Sequence, residues 1–253
     1  MRTCRSGVPA PSIEVMASAP VVPLVPGVWR IPLVRDFVNG FILRDDDGQV
    51  TLVDMGLKPS GPKVIAALAA IGSAPSEVTR LVLTHAHPDH AGGAAHVAAA
   101  TGRGFDIHAD DAAYARAGMS PPRDRSFLLG RIFDRLSRGH DFTPVPVERE
   151  LADGELLPVA GGLRVVHTPG HSPGHISLLH EQTRLLITGD AIFNVRRLRW
   201  PIRAFCTDFA MTKRTAAVLG ELDYDLAAFT HGPELRDHPR EAIRGFLARE
   251  RLG

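Results

Sequence analysis

The stretch Thr84-His85-Ala86-His87-Pro88-Asp89-His90 packs three imidazoles and a carboxylate into six residues, directly after the apolar run Leu81-Val82-Leu83. Ala91-Gly92-Gly93-Ala94 follows and opens a small-residue helix. A strand that ends in a tight turn into a helix exposes its last side chains at a sheet edge. His85 and His87, two apart, point the same way from extended backbone. Asp89 and His90 lie past the turn and face a second point nearby. Imidazole with carboxylate suits zinc, iron or manganese, and the missing thiolate argues against a structural zinc–thiolate site. Spacing this dense reads as a metal loop, not a polar loop with scattered histidines.

With 253 residues and 44% hydrophobic content, the chain can bury a large core. A formal charge of +1 gives no pull toward nucleic acid or an anionic membrane. Cys4 and Cys206 offer no disulfide framework. No apolar run approaches the ~18 residues of a bilayer span, and prolines at 9, 11, 20, 23 and 26 break up a secretory h-region. The expectation is a cytoplasmic enzyme acting on a small molecule. Residues 1–20, rich in Pro, Ser and Ala, are expected to be a disordered extension, with Met16 an alternative start.

Val28–Ile31, Gly40–Leu43 and Val50–Val53 read as strands, with Asp45-Asp46-Asp47-Gly48 a turn. Lys63–Ile71 is a helix that Gly72 stops. The metal loop and a helix over Gly92–Ala100 come next. A strand at Phe105–His108 then leads into a helix over Ala112–Ala117, capped by Asp110. Residues 120–141 carry arginines and apolar residues at helical spacing, which suggests a helical lid or insertion near 110–141. Its apolar face is a surface on which two copies could pair. Glu155–Pro158, Leu163–Val166, Ile176–Leu179 and Arg184–Ile187 form a second set of strands. Phe209–Leu222 is a helix, Leu226–Phe229 a strand and Pro239–Arg249 a closing helix. Strands then helices, twice over, predict two sheets face to face with helices outside, one α/β domain over 21–253.

Three further ligand candidates each follow an apolar strand. They are His171 in Gly170-His171-Ser172-Pro173-Gly174-His175, Asp190 after Gly189, and His231 in Thr230-His231-Gly232-Pro233. Glycine beside each lets the backbone approach closely.

In this order the motifs resemble those of the metallo-β-lactamase-fold hydrolase superfamily, from about Phe41 to Pro233. The resemblance implies an αββα four-layer sandwich and two metal ions, zinc with iron or manganese as alternatives. His85, His87 and His171 would hold the first ion, Asp89, His90 and His231 the second, and Asp190 would bridge them. The implied reaction is attack by a hydroxide shared between the ions on an ester, lactone, thioester or amide carbonyl. Asp89 would also shuttle a proton to the leaving group. Asp54 is expected to brace the metal loop, and His175 to support a ligand or serve as a packed structural histidine. Phe193, Arg197 and Trp200 are candidate walls of the substrate pocket, and Cys206 a partly buried free thiol. Glyoxalase II-like thioesterases and N-acyl homoserine lactonases share the ligand set. Against them stand Thr-His-Gly-Pro at His231 and Phe193 where the lactonases carry tyrosine. β-Lactamase-like activity is a further alternative. A persulfide dioxygenase with one iron would leave His90 and His231 without a metal.

Overall fold

The computed structural model describes residues 21–124, 141–159 and 161–251. The expected disordered extension and residues 125–140 of the expected lid fall outside them.

Strand β1 (Val22–Val25), β2 (Val28–Asp36), β3 (Val38–Arg44) and β4 (Val50–Val53) pair antiparallel in sequence order. Helix α1 (Gly61–Ala70) crosses over to β5 (Val78–Val82). β6 (Phe105–His108) and β7 (Val147–Leu151) then extend the sheet in parallel, making seven strands in chain order. Between β5 and β6 lie α2 (Pro88–Ala91) and α3 (Ala94–Thr101), and α4 (Ala109–Ala117) follows β6. The second sheet holds β8 (Leu156–Leu157), β9 (Leu163–His167), β10 (Ile176–His180) and β11 (Leu185–Ile187), joined in parallel by β14 (Leu226–Ala228). A small hairpin of β12 (Phe193–Val195) and β13 (Arg197–Arg199) lies beyond Asp190. Helices α5 (Phe209–Thr215) and α6 (Pro239–Arg251) complete the described chain.

Alternation along the strands builds the layers. On β3, Phe41 and Leu43 face the second sheet, whereas Ile42 joins the cluster under α1, α3 and α4. On β11, Leu185 and Ile187 face the first sheet and Leu186 packs toward α6 with Ile243, Phe246 and Leu247. Strands apolar on both faces have to be covered twice, by a sheet and by helices. The αββα sandwich follows.

The structure adds and corrects elements. β1, β7 and the β12–β13 hairpin are new. β1 is interrupted by Pro23, and exposed charged residues fill β7, so neither shows an apolar alternation. The helix expected from Ala112 begins at Ala109, because His108, not Asp110, caps it by accepting the Asp110 N–H. The helix expected over Phe209–Leu222 is α-helical only to Thr215 and continues as a 3-10 turn over Ala216–Gly220.

β9 and β11 both run opposite to the β10 between them, and β14 runs with β11. The C-terminal ends of β9, β11 and β14 therefore share one edge of the second sheet. The segments carrying His171, Asp190 and His231 leave from that edge.

Candidate metal centre

The fold brings all seven predicted ligands together. His85, His87 and His171 form one group whose ligand atoms lie within 4.8 Å of one another, and Asp89, His90 and His231 form a second. His87 Nδ1 is 3.1 Å from His85 Nε2 and 2.9 Å from His171 Nε2. Ligand atoms ~2.0 Å from a tetrahedral zinc stand ~3.3 Å apart, so these two separations are close to what a shared cation requires. Asp190 reaches both groups. Its Oδ2 lies 3.1 Å from His171 Nε2 and 3.3 Å from His231 Nε2, and its Oδ1 lies 3.4 Å from His90 Nε2.

Outer partners set which nitrogen of each ring faces inward. Asp54 follows β4 with φ of 53°. Its carboxylate accepts the Thr84 N–H at 2.9 Å, the Thr84 hydroxyl at 2.7 Å and the His90 Nδ1–H at 2.8 Å. Thr84 Oγ1 in turn lies 3.0 Å from His85 Nδ1. One carboxylate is thus tied to a candidate ligand of each group, to His90 directly and to His85 through Thr84. His231 Nδ1 donates to the Phe37 carbonyl at 2.7 Å. The inward Nε2 atoms of His90 and His231 are buried and lack a hydrogen-bond partner. Both face the Asp190 carboxylate, so in the metal-free protein a proton on each fills the place that a cation would take. The donor set is nitrogen and oxygen throughout, as zinc, iron or manganese prefers.

His175 supports Asp190. Its Nε2 accepts the Asp190 backbone N–H at 2.7 Å, and its Nδ1 donates to the Thr168 carbonyl at 3.0 Å. Gly189, at φ 54°, permits this: a Cβ there would lie 2.5 Å from His175 Nε2. Two further supports had no place among the expected residues. Asp111 joins two ligand loops, accepting the Ala86 N–H at 2.9 Å, the Ser172 hydroxyl at 2.6 Å and the Gly174 N–H at 2.6 Å. It sits in the first turn of α4 with Ala112 and Ala115 on the buried face, so helical phase was the available signal. Asn39 on β3 donates through its amide to the carbonyls of Phe229 and Gly232, at 2.9 and 2.7 Å, pinning the His231 loop to the first sheet.

Cys206 is wholly buried, not partly, with Sγ 3.5 Å from His171 Nδ1. A second histidine group, His108, Asp110 and His167, lies outside the centre. Its two rings stack at 3.9 Å, and His167 Nε2 donates to the Pro173 carbonyl at 2.9 Å, which steadies the His171 loop.

Burial and the neighbouring imidazoles hold His85 and His87 neutral, far below the usual histidine range. Burial also disfavours charge on His171 and His231, but Asp190 outweighs it and raises them to about 10 and about 9. Burial works against ionised Asp190 as well. The cations of His231, His90 and His171 overcome it and hold the carboxyl well below its ordinary value. Without metal the centre keeps protons on these imidazoles, and a divalent ion must displace them.

Over the centre lies a cavity of about 350 Å³. Phe193 lines it, with its ring 4.2 Å from that of His231. The expected walls Arg197 and Trp200 are not among the lining residues. Arg197 is exposed on β13, and the Trp200 ring packs on Phe246 of α6 at 4.7 Å. The hairpin between Asp190 and residue 200 turns both away. Phe37, Leu57, Ile202 and Phe205 take their place.

Two predictions test this framework. Asp111→Ala should weaken zinc binding by ~10–100-fold while the fold persists, read by competition with a chelator; undiminished affinity contradicts the brace. His175 is pushed down to about 3, chiefly by burial and then by His171, against ~6.5 when unfolded. The stability from keeping it neutral is full above pH ~6.5 and fades as pH falls toward 3. In metal-free protein, the stability advantage of wild type over His175→Asn should shrink by up to ~1.4 kcal/mol per pH unit below 6.5. Urea unfolding at pH 7 and pH 5 measures this, and an unchanged difference refutes it.

Known proteins share this architecture. The protein named Probable metallo-hydrolase YybB, from Bacillus subtilis (strain 168), is 29% identical over 227 residues, covering 88% of this chain and 90% of that protein. A hydroxyacylglutathione hydrolase from Cereibacter sphaeroides is 28% identical over 163 residues, covering 64% of this chain and 50% of the relative. The Rm3 metallo-beta-lactamase superimposes with a TM-score of 0.70 at 20% identity, covering 96% of each chain, and shows the fold. The model of the metallo-beta-lactamase superfamily matches residues 33–231, which include all seven clustered residues and both sheets apart from β1 and the start of β2. The chain belongs to the metallo-beta-lactamase superfamily and is a metallo-hydrolase.

Proposed function

We propose that the centre holds two divalent ions, zinc foremost with iron or manganese also suited, and hydrolyses an ester, lactone, thioester or amide of a small molecule. The observation that carries this reading is the pair of buried, partnerless Nε2 atoms on His90 and His231. They stand 3.4 and 3.3 Å from the same carboxylate that reaches His171. A one-metal dioxygenase would leave that second group unused. Two bound ions would supply a water of low pKa and a Lewis acid for the carbonyl oxygen.

The chain's own residues do the rest. Asp190 presents one carboxylate oxygen between the two imidazole groups and spreads their charge. Asp89 is the ligand whose carboxylate, one-third exposed, opens into the cavity. Burial raises its pKa, yet in the metal-free protein the His90 charge prevails and keeps it ionised; its place at the cavity mouth, beside His231, is what makes Asp89 the candidate to relay a proton to the leaving group. Phe193 and Phe37 keep bulk water from the His231 side. The relative named hydroxyacylglutathione hydrolase supports counting thioesters among the candidate bonds.

Zinc-loaded protein should turn over at least one member of a panel of lactone, thioester, ester and β-lactam substrates. His87→Ala should fall to the rate of metal-stripped protein and lose bound metal. Full turnover by that variant or by stripped protein would overturn the mechanism.

A further inference from the structure

Seven large hydrophobic residues are exposed among the described residues: Phe37, Leu57, Met119, Leu156, Ile202, Phe205 and Val218. Four of them, Phe37, Leu57, Ile202 and Phe205, line the cavity above the metal centre, each 38–49% exposed. Scattered apolar residues on a surface need no explanation, but a group gathered over a reactive centre marks a binding surface. These four come from three separate parts of the chain: the β2–β3 turn, the loop after Asp54, and the loop leading to Cys206.

We propose that the substrate carries an uncharged aliphatic acyl group, clamped between Phe37 and Leu57 on one side and Ile202 and Phe205 on the other. The proposal rests on the hydrolase reading above and names the substrate class of that site. The apolar surface begins at the ligands themselves. The Phe37 ring meets the His231 ring edge-on at 5.2 Å, and Phe193 lies 4.2 Å from it. The part of the substrate next to the reacting carbonyl therefore rests on hydrocarbon. Deeper in, Val34 and Val38 continue the wall.

Charge argues the same way. Apart from the metal-centre residues, the lining side chains with polar groups among the described residues are Ser120 and Arg123. The Arg123 guanidinium lies 5.9 Å above the Phe205 ring. A peptide thiol conjugate bears several ionised groups, and each one desolvated against Phe or Leu without a partner is strongly disfavoured. An acyl chain loses nothing by entering. A cavity of about 350 Å³ is at the small end of ligand sites, ~300–1,000 Å³, which suits a short acyl chain with its reacting bond.

Zinc-loaded, full-length protein would be assayed on p-nitrophenyl esters from acetyl to octanoyl and on the same acyl groups joined to glutathione. Each added methylene should raise kcat/KM by about fourfold up to about six carbons, the equivalent of ~0.8 kcal/mol per buried methylene. The glutathione conjugates should gain no advantage over neutral thioesters of equal chain length. Phe205→Ala and Leu57→Ala should each lower the octanoyl-to-acetyl ratio by roughly tenfold, in line with a truncated apolar wall. A flat chain-length profile, or a preference for glutathione conjugates, overturns the proposal. Calorimetric binding of acetohydroxamate and octanohydroxamate separates it from the hydrolase reading. Tighter octanohydroxamate binding with no turnover of any ester would sustain the apolar pocket and refute the hydrolase, whereas equal binding of the two would refute the pocket.

Discussion

Asp190 carries a carboxylate into a buried centre where imidazoles from three segments converge. A lone carboxylate there would be protonated or excluded, because desolvation of an unpaired charge is far too unfavourable to sustain. It stays ionised because His171, His231 and His90 surround it. Those rings in turn keep their inward nitrogens aligned only because each is tied behind. Carboxylate and imidazoles are mutually dependent, and a pair of divalent cations satisfies both at once.

The ties behind the rings explain why the fold is built as it is. Asp54, at the end of β4, reaches the loop after its parallel neighbour β5 and fixes Thr84, His85 and His90 through that loop. Asp111 on α4 links the first ligand loop to the loop of His171. Asn39 links the first sheet to the loop of His231. Two sheets whose mutual core is apolar thus meet at one edge through a few buried polar contacts. Each contact is fully partnered, which is the condition for a buried polar network to hold one geometry.

The metal centre was largely legible because its residues are chemically distinctive and each follows an apolar strand. His85 to His90 declare themselves by spacing, and His171, Asp190 and His231 by strand, glycine and ligand in succession. The alternation of Phe41, Ile42 and Leu43 likewise carries the two-sided burial of the first sheet. Asn39 was not legible and Asp111 only by helical phase, since both act on groups far away in sequence, and an aspartate in a helix's first turn looks like an ordinary cap. Arg197 and Trp200 misled for a related reason. Proximity to Asp190 in sequence suggested the pocket, but a positive φ at Arg196 folds β12 back on β13 and sends them outward. Phe37 and Leu57 reach the pocket from the other sheet, a long-range placement that periodicity does not encode.

The central claim is that two groups of ligands share one carboxylate and so hold two ions. Titration of metal-free protein with zinc, followed by removal of free metal and elemental analysis, tests it most directly. The account predicts two tightly held equivalents per chain. A single equivalent at saturation, with the Asp89, His90 and His231 group left empty, would contradict it.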